Sequence, residues 1–170
     1  MPSLSSLIAI PASLAKGDPC AEFTPTEWVK FDKTGFEYKV HCHSPGLPFY
    51  DAERKCLKVG ADLVSIHGKE ENDFIANISG SLIKEHAVWI GLTKYDSWNW
   101  TDGTMMDYQN FYLEVHCSMI QNSERWNMEC IYMHGEHRLW FPDFCNDGLN
   151  YFVCMRGATE EKKRRWIEKL

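Results

Sequence analysis

Three clusters of side chains carry chemical potential in this sequence. His134, Glu136 and His137 fall within the tetrapeptide HGEH, and imidazole nitrogens beside a carboxylate are the donors that zinc takes. The metalloprotease patterns need their histidines on a helix, whereas HGEH contains a glycine and separates two strand-like runs, so it reads as a solvated turn. His41 and His43 flank Cys42 at a spacing of two, on one face of a strand, a pattern with weak affinity for zinc at most. The third cluster is the seven cysteines, Cys20, Cys42, Cys56, Cys117, Cys130, Cys145 and Cys154. None is spaced C-x-x-C, which argues against a zinc ribbon or a thioredoxin-like site. G-x-S-x-G, P-loop and G-x-G-x-x-G motifs are absent, and oxidised cysteines leave no thiolate for a Cys–His pair. The expectation is a protein that binds without catalysis, with no resident metal and no cofactor.

The compartment follows from the same cysteines. Residues 1–15 carry an apolar run from Leu4 to Leu14, with Ser13 and Ala15 spaced as a signal peptidase accepts, and read as a secretory signal. Such a segment is too short to cross a bilayer, and no other run approaches that length. Behind a signal, the cysteines imply disulfides formed in an oxidising, extracellular compartment. Two sequons, Asn77-Ile78-Ser79 and Asn99-Trp100-Thr101, fit glycosylation there. With 24 acidic against 18 basic residues and no basic stripe interleaved with aromatics, nucleic acid is not the expected partner. A length of 170 residues and 44% apolar content suit one core, here residues 16–157, followed by a charged tail over 158–170. The tail reads as a solvated end.

The elements that must position these groups come from periodicity. After Pro48, Ala52, Cys56 and Val59 recur at i, i+4 and i+7, a helical stripe that Gly60 stops. A second helix is expected from about Lys69 to Leu82, with Phe74, Ile75, Ile78 and Leu82 on one face and Glu70, Glu71 and Asp73 suiting the positive helix end. Beyond His86 the pattern changes to short apolar runs, AVWIGL, WNWTDG, CIYM, RLWF and YFVCM, separated by turn residues, which read as strands. Between Asp102 and Cys130 no period is sustained, so an ordered long loop is expected.

The helix-borne Cys56, the strand VWIGL at 88–92, the turn WNWTDG at 98–103, and Cys130, Cys145 and Cys154 in that order resemble a C-type lectin-like domain over residues 20 to about 156. The resemblance implies an α+β fold with two helices, two small antiparallel sheets and a long loop, stapled by disulfides Cys56–Cys154 and Cys130–Cys145. It also implies that Trp89, Ile90, Leu92, Trp98, Trp100 and Trp140 are core residues. For the other cysteines Cys20–Cys42 is the expected pair, leaving Cys117 for a disulfide-linked dimer, with Cys42–Cys117 and Cys20–Cys117 as open alternatives.

Sugar-binding members of that family hold calcium with a Glu-Pro-Asn or Gln-Pro-Asp triplet in the long loop and with an Asn-Asp pair after the tryptophan that corresponds to Trp140. Here the nearest triplet is Glu114-Val115-His116, and Phe141-Pro142 stand after Trp140. A valine does not readily take the cis bond that proline supplies, and phenylalanine offers no side-chain oxygen to an ion that needs six to eight. Asp143 lies one place late, on the opposite strand face from the position required. The expected function is therefore calcium-independent recognition of a protein or glycan through Phe111, Tyr112, Glu114, His116, Arg125, Trp126 and Phe141, aromatic and arginine side chains being the usual interface hot spots. The alternative is a lectin with altered calcium coordination that recruits Asp107, Glu114, Glu136 or Asp143.

Overall fold

A computed structural model describes residues 18–21, 23–80, 87–112 and 128–157. The signal over 1–15, the tail, Cys117, and the loop residues Glu114, His116, Arg125 and Trp126 lie outside that set.

The last strand, β8 (Leu149–Arg156), organises the others. It pairs antiparallel with β2 (Glu37–Leu47), whose outer edge carries β1 (Val29–Lys30), and with the short β3 (Asp62–Leu63). It also pairs parallel with β4 (Ala87–Lys94) through Val88↔Tyr151 and Trp89↔Phe152. Beyond β4 come β6 (Cys130–His134) and the edge strand β7 (Trp140–Asp143), with β5 (Trp98–Trp100) folded back on β4. The two expected small sheets are thus fused into one hydrogen-bonded sheet, ordered β1-β2-β8-β4-β6-β7, and the fusion is the parallel pair. Sequence patterning marks strands but says nothing about which of them meet.

Each face of this sheet is covered by one helix. In α2 (Lys69–Gly80), Ile75 and Ala76 join Tyr38, Val40, Val88, Ile90, Ile131, Met133, Trp140 and Val153 in the larger core. In α1 (Phe49–Leu57), Phe49, Ala52 and Cys56 join Trp89, Cys130, Phe152 and Cys154 on the opposite side. The run V-W-I in β4 is continuously apolar because alternate residues enter different cores. Gly91 follows because the chain passes close by: a Cβ there would sit 2.6 Å from the Leu63 carbonyl oxygen. Val59, expected on the α1 stripe, lies beyond the helix end and is half exposed, since the chain turns away at Gly60 with φ 70°.

Three disulfides staple these layers: Cys56–Cys154 joins α1 to β8, Cys130–Cys145 closes the β6–β7 hairpin, and Cys20–Cys42 ties the N-terminal segment to β2. Tyr151 reinforces the last tie by donating its hydroxyl to the Pro19 carbonyl at 2.9 Å. Among the described residues no helix is long and apolar enough to cross a membrane.

Candidate functional site

Because β7 is an edge strand, one of its faces turns into the core and the other is left for aromatic side chains to cover. Trp140 points inward, fully buried, opposite Met133, and donates its indole N–H to Asn72 Oδ1 of α2 at 2.7 Å. Phe141, the next residue, points the other way and faces Tyr132, its register partner. Their rings stack at 5.5 Å and 17°, and Tyr112 stacks on the far side of Phe141 at 5.5 Å and 23°. Behind Tyr132, the buried Trp89 makes an edge contact at 6.5 Å. The ladder Tyr112–Phe141–Tyr132 therefore runs from the surface to the core.

Tyr112 owes its place to the backbone. Residues 110–112 run beside β7: the Trp140 N–H donates to the Asn110 carbonyl at 2.9 Å, and the Tyr112 N–H donates to the Trp140 carbonyl at 3.2 Å. Strand-like alternation then separates neighbours. Phe111 packs on the core side against Trp140 and Trp98, at 5.6 and 6.1 Å, while Tyr112 stays 39% exposed. Phe111 is accordingly part of the wall under the face, and Tyr112 and Phe141 form the face itself.

The start of the long loop is held by polar groups. His67 Nδ1 meets Asp107 Oδ1 at 2.6 Å, and His67 Nε2 lies 3.2 Å from Thr104 Oγ1, which donates to Asp102 Oδ1 at 2.6 Å. Hydroxyl, imidazole and carboxylate are in line here, but the Thr104 hydroxyl is buried and bonded to Asp102, an arrangement suited to fastening the loop. Next to it Glu71, in the first turn of α2 as expected, turns inward and accepts from the Tyr38 hydroxyl and from the His67 backbone N–H. Burial raises the Glu71 and Tyr38 pKa values and lowers that of His67. A cavity of about 320 Å³ opens beside this cluster, and its two lysines are already engaged, Lys33 with Glu70 and Lys69 with Asp73.

The HGEH segment forms the turn between β6 and β7, closed by Arg138 at φ 59°. The rings of His134 and His137 stack at 4.8 Å, and His134 touches Phe141 edge-on at 6.3 Å. His41 lies flat on Phe152 at 5.1 Å, while His43 Nδ1 contacts the Pro45 carbonyl. Among the described residues no group of three or more His, Cys, Asp or Glu side chains is placed to hold a metal ion. Of the acids considered for altered calcium coordination, the three described ones are engaged separately: Asp107 is bound to His67, Asp143 interacts with Asp147, and Glu136 is exposed in the turn.

Residues 46–156, more than half of the chain, match the family Lectin C-type domain. The chain belongs to the C-type lectin family. This lectin domain is 37% identical over 107 residues to snaclec botrocetin subunit beta of Bothrops jararaca, covering 55% of this chain and 84% of the relative. It is 30% identical over 133 residues to snaclec echicetin subunit beta of Echis carinatus sochureki, covering 75% and 94%. Among solved structures it resembles the cow C-type carbohydrate-recognition domain of CD23, crystallised in the presence of a GlcNAc2Man3 oligosaccharide, with TM-score 0.64, 27% identity, and 81% and 98% coverage. No enzyme is named among these relatives. Against this background, sequence reasoning missed Tyr132 as a member of the face, although its alternation within CIYMH and the pairing of CIYM with RLWF carried the signal.

Proposed function

We propose that this lectin domain is a secreted, non-catalytic binding module that recognises a protein or glycan without calcium. Its binding surface is the ladder Tyr112–Phe141–Tyr132, extended by the loop residues Glu114, His116, Arg125 and Trp126. The ladder is the observation that carries the reading: where sugar-binding relatives need oxygen donors after the tryptophan, Phe141 is stacked between two tyrosines and Pro142 follows. Aromatic rings of this kind supply contact area at small entropic cost. Secretion is supported by three disulfides, which persist in oxidising compartments, and by the apolar leader. Asn77 and Asn99 are both exposed and suit glycosylation. With six cysteines paired, Cys117 is the residue for a disulfide-linked dimer, and the two snaclec relatives are themselves named as subunits. A non-reducing gel showing only monomer removes the dimer.

The test of the main reading is a glycan array and a cell-surface binding screen, each run with and without chelator, on the wild type and on Phe141→Ala. Binding that survives chelation and fails in Phe141→Ala supports it. Binding lost on chelation refutes it.

A further inference from the structure

We infer that Asn77 carries an N-linked glycan, and that Ser79 is retained for that modification of the unfolded chain. The inference rests on the reading that the domain is secreted.

Ser79 is the observation that points to it. The residue lies near the end of α2, is fully buried, and among the described residues its Oγ has no hydrogen-bond partner. A helical serine ordinarily turns its hydroxyl to solvent or to the carbonyl four positions back, and this one does neither. Burying a hydroxyl without a partner costs stability, and alanine would fill the same place with better helix propensity and no such cost. The folded protein gains nothing from the hydroxyl. The unfolded chain does, because Asn77-Ile78-Ser79 is an acceptor triplet whose third side chain is read before α2 forms.

The triplet Asn99-Trp100-Thr101 lacks this signature. Thr101 donates its hydroxyl to Glu53 at 3.1 Å, so it has a task in the fold. Asn99 spends Nδ2 on the carbonyl and the hydroxyl of Ser97, at 3.2 and 2.8 Å. Asn77 is exposed and accepts through Oδ1 from Arg138 at 3.0 Å, which leaves Nδ2 unengaged among the described residues. In the reaction Nδ2 bonds to the anomeric carbon of an oligosaccharide carried on a lipid pyrophosphate. The carbon–oxygen bond to that pyrophosphate breaks, the lipid pyrophosphate leaves, and Nδ2 gives up one proton. Oδ1 is untouched, so the finished glycan keeps the Arg138 bond and stands beside the β6–β7 turn.

The test expresses the full chain, with its apolar leader, in secreting animal cells. Peptide-N-glycosidase in heavy-oxygen water converts each glycosylated asparagine to a labelled aspartate, which peptide mass spectrometry locates. The expected result is label at Asn77 in the secreted protein and none at that position in Ser79→Ala. A second comparison removes the glycan from both arms. Asn77→Gln/Ser79→Ala should melt about 2–4 °C above Asn77→Gln, because it loses the unpaired hydroxyl. Secreted protein without label at Asn77 overturns the inference. So does a melting temperature that fails to rise in the double variant, which would give the hydroxyl a task in the fold. A chain that stays in the cell unmodified refutes secretion itself, and the inference with it.

Discussion

Trp140 of β7 and Asn72 of α2, 68 positions apart, are joined by a hydrogen bond of 2.7 Å in the fully buried core. Asn72 also donates to the Arg138 carbonyl at 3.1 Å, just before β7, so one amide holds both the tryptophan and the strand's entry. The orientation of Trp140 decides that of Phe141, because adjacent strand residues face opposite ways. Asn72→Ala should therefore cost about 1–3 kcal/mol by leaving the buried indole N–H unpaired, while the Arg138 carbonyl keeps the Asn110 amide at 2.7 Å. Chemical denaturation measures it, and a loss under about 0.5 kcal/mol contradicts the role assigned to Asn72.

The disulfides differ in the chain they enclose. Cys56–Cys154 spans 98 positions and Cys130–Cys145 spans 15. In the chain-entropy account these loops correspond to about 4.7 and about 3 kcal/mol. Replacing Cys56 and Cys154 by alanine should lower the denaturation midpoint more than replacing Cys130 and Cys145. The reverse order would show that the hairpin staple relieves more than loop entropy.

Acid should destabilise the fold through His41. Burial lowers its imidazole pKa from the usual 6.5 to about 4. Between those values the unfolded chain binds a proton that the folded chain does not, so stability falls as pH drops through the window and levels off below it. The half-buried Glu53 and the buried Glu71, whose pKa values are raised by burial, act with the opposite sign. The contribution of His41 is therefore read by comparison with His41→Phe, which keeps the stack on Phe152. The variant's melting temperature should fall less than the wild type's between pH 7 and pH 4.5, and parallel curves would exclude His41 as the source.

Calcium should leave the melting temperature unchanged. A ligand that binds only the folded state raises it by mass action, so a rise at millimolar calcium, reversed by chelator, would reveal a site and refute calcium-independent recognition.

Local periodicity made the two helices, the strands and the cysteine carried by α1 legible, because a side chain's face follows from its neighbours three, four or two positions away. Val59 failed where the helix stopped two residues short of it, a boundary decided by the turn at Gly60. Glu71 does lie in the first turn of α2, but that its carboxylate turns inward depends on the approach of Tyr38, 33 positions away.

The sequence by itself determined the family, the element types and the loss of oxygen donors after Trp140, since these are matters of residue identity and short spacing. Only the tertiary structure decided that Phe111 is wall and Tyr112 is surface, and that Tyr132 stacks on Phe141. Those relations depend on which strands pair and in which register. Register is set by long-range burial, which no local pattern records.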